Sequence, residues 1–259
     1  FLPDFADIPE ETAKAAKFMI ISYPANPVCS VADDSFYEKA IAFAKKYNPD
    51  FHVCYNKGHV GYLDKPVIKD YSYFSFESLP GVEWGYLDFP VSAKYMRNFG
   101  KECLGLTSRF HTEWGDFHAF RNEAAMEYEV FSMLSHGCKC TIGDQMDYWG
   151  KLNKDMYQQI GRVYKSVEEK EPWCENAKPV SEIGVFTAEE FYATGVAGQI
   201  PGASEGVARL LMEYGYQFDF IDSTSDFGKY RLLILPDVIP VDEILGRKLS
   251  AYINAGGKL

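Results

Sequence analysis

The sequence predicts an α/β fold built on parallel strands, and three observations carry that reading. Short apolar runs alternate with amphipathic stretches of helical period along nearly all of the 259 residues. The runs IGVF (183–186) and LLILP (232–236) are continuously apolar, as parallel strands buried on both faces are. Gly, Pro and Asn cluster between the periodic segments, where turns belong. Residues 1–172 hold four or five strand–helix units, half or more of a (β/α)8 TIM barrel. Residues 181–259 hold a partial flavodoxin-like, doubly wound parallel-sheet domain.

Taken in order, KFMIIS (17–22) reads as a strand, and DSFYEKAIAFAKKYNPD (34–50) as an amphipathic helix capped by Asp34 or Ser35 and stopped by NP. FHVCYN (51–56) and YSYFSFE (71–77) are the next expected strands. SAKYMRNFG (92–100) is a short helix closed by Gly100, and KECLGLTSRF (101–110) is a strand. Asn122 caps the helix NEAAMEYEVFSMLSHG, CKCTIGD (138–144) is a strand, and Asn153 begins the long helix that follows. The prolines of PWCENAKPVS (172–181) and its lack of periodicity mark a linker, set at residues 173–180. Beyond it EIGVFT, YQFDFID and YRLLILPD are strands, and GASEGVARLLMEYG and VDEILGRKLSAYINAGG are helices. The first residue is Phe1, and the last segment, AGGKL, begins a new strand, so the chain is expected to be part of a longer protein.

The net charge of −11 argues against nucleic acid or an anionic membrane as partner, because both need a cationic footprint. No apolar run reaches the roughly 18 residues of a membrane span. Six cysteines lack paired zinc spacing, and Cys138 and Cys140 point to opposite faces of one predicted strand. They read as buried thiols of a reducing compartment, which favours the cytoplasm. No metal and no organic cofactor is called for.

In a barrel the reactive groups stand at the C-terminal ends of the strands. Asn56 and His59 follow HVCY, Glu77 follows YFSF, and Trp84 lies in the next loop. The stretch after CLGLT carries Arg109, His111, Glu113, Trp114 and Asp116, and Asp144 and Gln145 follow CTIG, with Trp149 close behind. This mixture suits a carbohydrate: amides, imidazoles, carboxylates and Arg pair with hydroxyls, and indoles cover the C–H face of a sugar ring. Glycoside hydrolysis needs two carboxyl groups. Glu77, leaving an apolar strand where burial favours the protonated form, is the expected acid. Asp116 and Asp144 are its rivals, with Asn56, His59, Trp84, Arg109, His111, Trp114 and Gln145 as substrate ligands. Each also has a plain structural reading. Asp116 caps a helix or closes the Gly115 turn, His59 and Asp144 are turn residues, and Glu77 and Glu113 are surface carboxylates.

Four motifs, FESLPGVEWGYLDFP (76–90), LGLTSRFHTEWGDF (104–117), HGCKCTIGDQM (136–146) and EKEPWCENAKPVSEIGVF (169–186), resemble predicted glycoside hydrolases. In these an α-L-fucosidase-like barrel precedes a β-galactosidase-type trimerisation domain that is similar to a class I glutamine amidotransferase domain. The resemblance spans roughly residues 36–259. It implies the C-terminal portion of the barrel, a sugar pocket lined by Glu77, Arg109, His111, Trp114, Asp116, Asp144 and Gln145, and homo-oligomers formed through the second domain. It also implies that the nucleophilic carboxylate ends a strand just upstream of Phe1. Residues 181–259 contain neither Cys nor His, so amidotransferase chemistry is not expected there. A non-catalytic sugar-binding or scaffold protein on a degenerate barrel is the alternative reading.

Overall fold

The computed structural model describes residues 2–23, 30–192, 196 and 198–259. It comprises two compact units, residues 1–53 and 54–259.

The first unit holds α1 (Glu10–Ala15) and α2 (Asp34–Tyr47). The carboxylate of Asp33 caps α2 by accepting the Phe36 N–H at 2.9 Å, one residue earlier than expected. Phe36 and Ala40 form the buried stripe of α2, and the ring of Phe5 packs on Phe36 and Phe43. KFMIIS is not a strand. Phe18 and Ile20 are 86% and 91% exposed, and no described residue pairs with this run. An apolar run becomes a strand only where a neighbour accepts its backbone bonds.

The second unit contains both sheets. β1 (Phe74–Glu77), β2 (Cys103–Ser108) and β3 (Lys139–Gly143) lie side by side in chain order, all parallel, with Glu77 opposite Leu106 and Ser108 opposite Gly143. α3 (Asp88–Met96) crosses from β1 to β2, α4 (Glu123–Ser135) crosses from β2 to β3, and α5 (Lys154–Glu168) follows β3. Parallel strands kept in sequence order with a helix after each are an arc of a barrel. FHVCYN forms no strand. Only Lys57, just beyond it, makes a single parallel bridge to Phe76.

The stretch expected as a linker begins in the last turn of α6 (Glu171–Cys174) and continues without regular structure to β4 (Ile183–Phe186). After β4 come α7 (Glu189–Tyr192), α8 (Gly202–Glu213), β5 (Phe218–Ile221), β6 (Leu232–Ile234) and α9 (Glu243–Asn254). The strand order is β5-β4-β6, with the first strand in the middle. That order is the doubly wound arrangement, in contrast to the barrel arc.

One core joins the two sheets. Phe74, Phe76, Phe89 and Met133 from the arc share a cluster with Val185, Phe218 and Phe220 from the open sheet. α3 is buried along its whole length, because it packs on β1 and β2 on one side and on β5 and α8 on the other. It begins four residues before the expected start, since every position from Asp88 to Met96 has a partner surface. Strand β5 is an edge, and side chains around the end of α3 occupy its free carbonyls. Lys94 Nζ and Arg97 Nη2 donate to Phe218 O at 3.3 and 3.1 Å, and Asn98 Nδ2 donates to Phe220 O at 2.9 Å. An open strand edge invites foreign pairing, and these three donors close it.

Candidate active site at the strand ends

The C-terminal ends of β1, β2 and β3 converge on one group of polar side chains. Glu77 is the last residue of β1, half-buried, and its backbone N–H donates to Gly58 O at 3.0 Å. The indole Nε1 of Trp114 donates to Glu77 Oε2 at 3.4 Å. Trp114 is set by packing: Phe110 meets it edge-on at 5.9 Å, and its ring occupies the space that a Cβ at Gly143 would need. A glycine at the end of β3 therefore lets an indole from the β2 loop reach across toward β1.

Beyond β2 the Arg109 N–H donates to Gly143 O at 2.9 Å and prolongs the parallel pairing by one bond. This carries Arg109 to Asp144. Its Nε donates to Asp144 Oδ1 at 2.7 Å, and the guanidinium carbon lies 4.1 Å from the Phe110 ring centre and 5.4 Å from that of Phe117. Both side chains are buried, and the backbone N–H of Gln145 donates to the same Oδ1 at 2.7 Å. Arg109 Nη1 and Asp144 Oδ2 are buried with no hydrogen-bond partner.

The remaining expected residues divide. Gln145 is exposed, with its Oε1 3.6 Å from where a Cβ on Gly115 would lie, so it borders the same loop. Asp116 is half-buried and accepts the Thr112 hydroxyl at 3.0 Å within its own turn, where Gly115 takes a φ of 89°. His111 is exposed on that loop. Asn56 is exposed, two residues before Gly58, whose carbonyl accepts the Glu77 N–H.

His59 and Trp84 point elsewhere. His59 is buried with both ring nitrogens engaged: Nε2 meets Glu189 Oε1 at 2.8 Å and Nδ1 meets Ser92 Oγ at 3.1 Å. Burial pulls its pKa down, but the Glu189 hydrogen bond and charge, with Asp88 and Asp64 behind, leave it raised above the usual histidine value. Trp84 packs beneath Gly198 and lines a groove of about 600 Å³ with Tyr86, Tyr128 and Arg209, apart from the Trp114 loop.

Sequence reasoning missed the support beneath the site. Arg121 Nε donates to Phe110 O at 2.9 Å, Nη1 to Thr107 Oγ1 at 3.0 Å and Nη2 to Ser108 Oγ at 3.4 Å, and the guanidinium pairs with buried Glu129. Thr107 also donates to Glu129. Burial pushes the Glu129 carboxyl up against the lowering pull of Arg121 and Thr107. One signal was visible. Met126, Glu129, Val130 and Met133 share one helical stripe, so a carboxylate sits among core positions and must have a buried partner. Among the described residues no group of three His, Cys, Asp or Glu is arranged to hold a metal ion.

Comparisons with known proteins agree with this architecture. Residues 209–259 match the family model of the β-galactosidase trimerisation domain. That match is the second half of the expected resemblance. Among solved structures, α-L-fucosidase isoenzyme 2 from Paenibacillus thiaminolyticus is 34% identical with a TM-score of 0.80, over 86% of this chain and 34% of that one. The cold-adapted β-galactosidase from Rahnella sp. R3 has a TM-score of 0.65 at 16% identity, over 86% of this chain and 38% of that one, and shares the fold. The likeness to an α-L-fucosidase-like barrel joined to a trimerisation-type domain therefore holds. The chain spans about a third of the length of these structures. Among curated proteins it is 41% identical over 81 residues to LL-diaminopimelate aminotransferase of Syntrophobacter fumaroxidans, covering 31% of this chain and 19% of that protein. That match is short and partial. No described helix is long and apolar enough to cross a membrane.

Proposed function

We propose that residues 54–259 are part of an exo-acting glycoside hydrolase that removes a terminal sugar from an α-L-fucoside-like or β-galactoside-like substrate. The observation that carries this reading is the meeting of Glu77 and Trp114 at adjacent strand ends, beside Arg109, Asp144 and Gln145. Glu77 is the general acid. It protonates the leaving-group oxygen, and the Trp114 N–H orients its carboxyl group while the indole offers an apolar face. Asp116 is tied to Thr112 and Asp144 to Arg109, so neither stands free as the second carboxylate. The nucleophile is assigned to a barrel strand outside residues 54–172. His111 and Asn56, both exposed, are ligands for outer hydroxyls. Residues 181–259 are the assembly module, supported by the trimerisation match and by the exposed Leu210, Tyr214 and Tyr216 on and just after α8. This module brings copies of the chain together as a homo-oligomer.

The acid role is tested with Glu77→Gln in the full-length enzyme. Turnover is expected to fall about 10²- to 10⁴-fold on glycosides with poor leaving groups, and far less on activated aryl glycosides. Equal losses on both classes would refute the role.

A further inference from the structure

We propose that Glu189, on the short helix after β4, is a positioning residue for Glu77 and acts through His59, an assignment that rests on the acid role given to Glu77 above. Glu77 ends β1, and its backbone N–H donates to Gly58 O at 3.0 Å. Lys57, one residue earlier, makes a parallel bridge to Phe76. Residues 57 and 58 therefore run beside the end of β1 as a fragment of a neighbouring strand. Where Gly58 sits decides where the Glu77 backbone sits. The carboxyl end of Glu77 is held by Trp114 at 3.4 Å, a long bond, so the backbone carries much of its aim.

A bridge and one hydrogen bond restrain a strand end loosely, since each contributes little net free energy. The firm contacts of this segment come from outside the barrel arc. His59, which follows Gly58, is buried, with Nδ1 3.1 Å from Ser92 Oγ on α3 and Nε2 2.8 Å from Glu189 Oε1 on α7. Glu189 Oε2 accepts the Tyr62 N–H at 3.1 Å. Three residues on, Lys65 Nζ reaches Asp222 Oδ2, just beyond β5, at 2.5 Å. A Cβ on Gly61 would collide with both Glu189 Oε2 and His59 Nε2, so the carboxylate lies against bare backbone between its two bonds.

The chain of contacts is thus short and rigid: Glu189 to the His59 ring, His59 to Gly58 through the backbone, and Gly58 O to the Glu77 N–H. Each side chain along it is buried, and a packed, hydrogen-bonded group transmits a displacement instead of absorbing it. The assembly module does more than join copies. Its first sheet strand is followed by the carboxylate that aims the acid of the barrel. Proton transfer to a leaving group is sensitive to a misplacement of this kind, and departure of a good leaving group, which needs little protonation, is not.

The test compares turnover of the full-length enzyme on glycosides with poor leaving groups and on activated aryl glycosides, with Glu77→Gln as the reference for a lost acid. Glu189→Gln is expected to lose about 10- to 100-fold on the poor leaving groups and less than about threefold on the activated ones, at a temperature where circular dichroism shows it folded. His59→Gln is expected to behave alike. The double variant Glu189→Gln/His59→Gln is expected to lose no more than His59→Gln alone, because the carboxylate acts through the imidazole. Equal losses on the two substrate classes, or losses that add in the double variant, assign Glu189 to stability alone and overturn the proposal. If Glu189→Gln does not fold, Ser92→Ala carries the test: it removes only the Nδ1 partner, and a selective loss of about 2- to 10-fold is expected, with no selective loss overturning the proposal. A selective loss in Glu77→Gln without one in folded Glu189→Gln leaves the hydrolase reading intact and refutes the positioning role. No selective loss in Glu77→Gln refutes both.

Discussion

Glu189→Gln should destabilise residues 54–259 and abolish a defined part of their pH dependence. Glu189 comes from the short helix after β4, and His59 comes from the segment leading to the barrel arc. Their contact at 2.8 Å is between side chains that are each only 8% exposed. Glu189 Oε2 also accepts the Tyr62 N–H at 3.1 Å, so one carboxylate secures both the imidazole and the turn behind it. Breaking a buried ion pair by removing one charge costs about 3–5 kcal/mol. The amide retains part of the hydrogen bonding, so the lower end, about 3 kcal/mol, is expected. For a unit of this size that lowers Tm by about 6–12 °C.

The pH dependence has a definite sign. The His59 pKa is raised in the folded state above the ordinary histidine value, so the pair contributes fully below that value and its contribution fades as pH rises through the folded pKa. The groups facing His59 are Glu189, Asp88, Asp64 and the Ser92 hydroxyl. Asp88 is itself pushed up by burial, while its Oδ1 accepts the Gly198 N–H at 3.0 Å. Urea unfolding of both proteins from pH 5.5 to 8.5 reads the effect as a stability gap that is widest at the acidic end and closes toward the alkaline end. A gap independent of pH would show that His59 is not charged in the folded protein, and the ion-pair account would fail.

Two further outcomes follow from the packing. Arg121→Met leaves Glu129 charged and buried without its cation. It should cost about 3–5 kcal/mol in denaturant unfolding, and Arg121→Met/Glu129→Leu should recover only part of that loss, because Thr107, Ser108 and Phe110 O still lose the Arg121 donors. Gly105→Ala places a methyl group 2.5 Å from Met133 Cγ and 2.8 Å from Phe89 Cε2, so both side chains must shift, at a cost of about 1–3 kcal/mol, read as a lowered thermal midpoint.

Much of the fold was legible in the residues because its causes are local. Asn122 and Asn153 each accept an N–H from the first turn of the helix they precede, which is a property of four or five adjacent residues. IGVF and LLILP became the adjacent parallel strands β4 and β6, as their apolar runs required. KFMIIS had the same local signature and is exposed, because a strand depends on a neighbour that no local pattern names. The start of α3 was missed for the same reason: its first residue, Asp88, accepts the N–H of Gly198, more than a hundred residues away in the chain.

The site divides along the same line. That Glu77, Arg109, Trp114 and Asp144 follow apolar strands at their C-terminal ends is readable from the residues alone, since a strand and its exit are written in consecutive positions. Which of them meet depends on packing between distant segments. Trp114 reaches Glu77 because Gly143, on a third strand, has no side chain to stop it. His59 and Trp84, with equal credentials in the sequence, were drawn to Glu189 and Gly198 instead. Strand register and helix docking set those distances, and both arise from contacts between residues far apart in the chain.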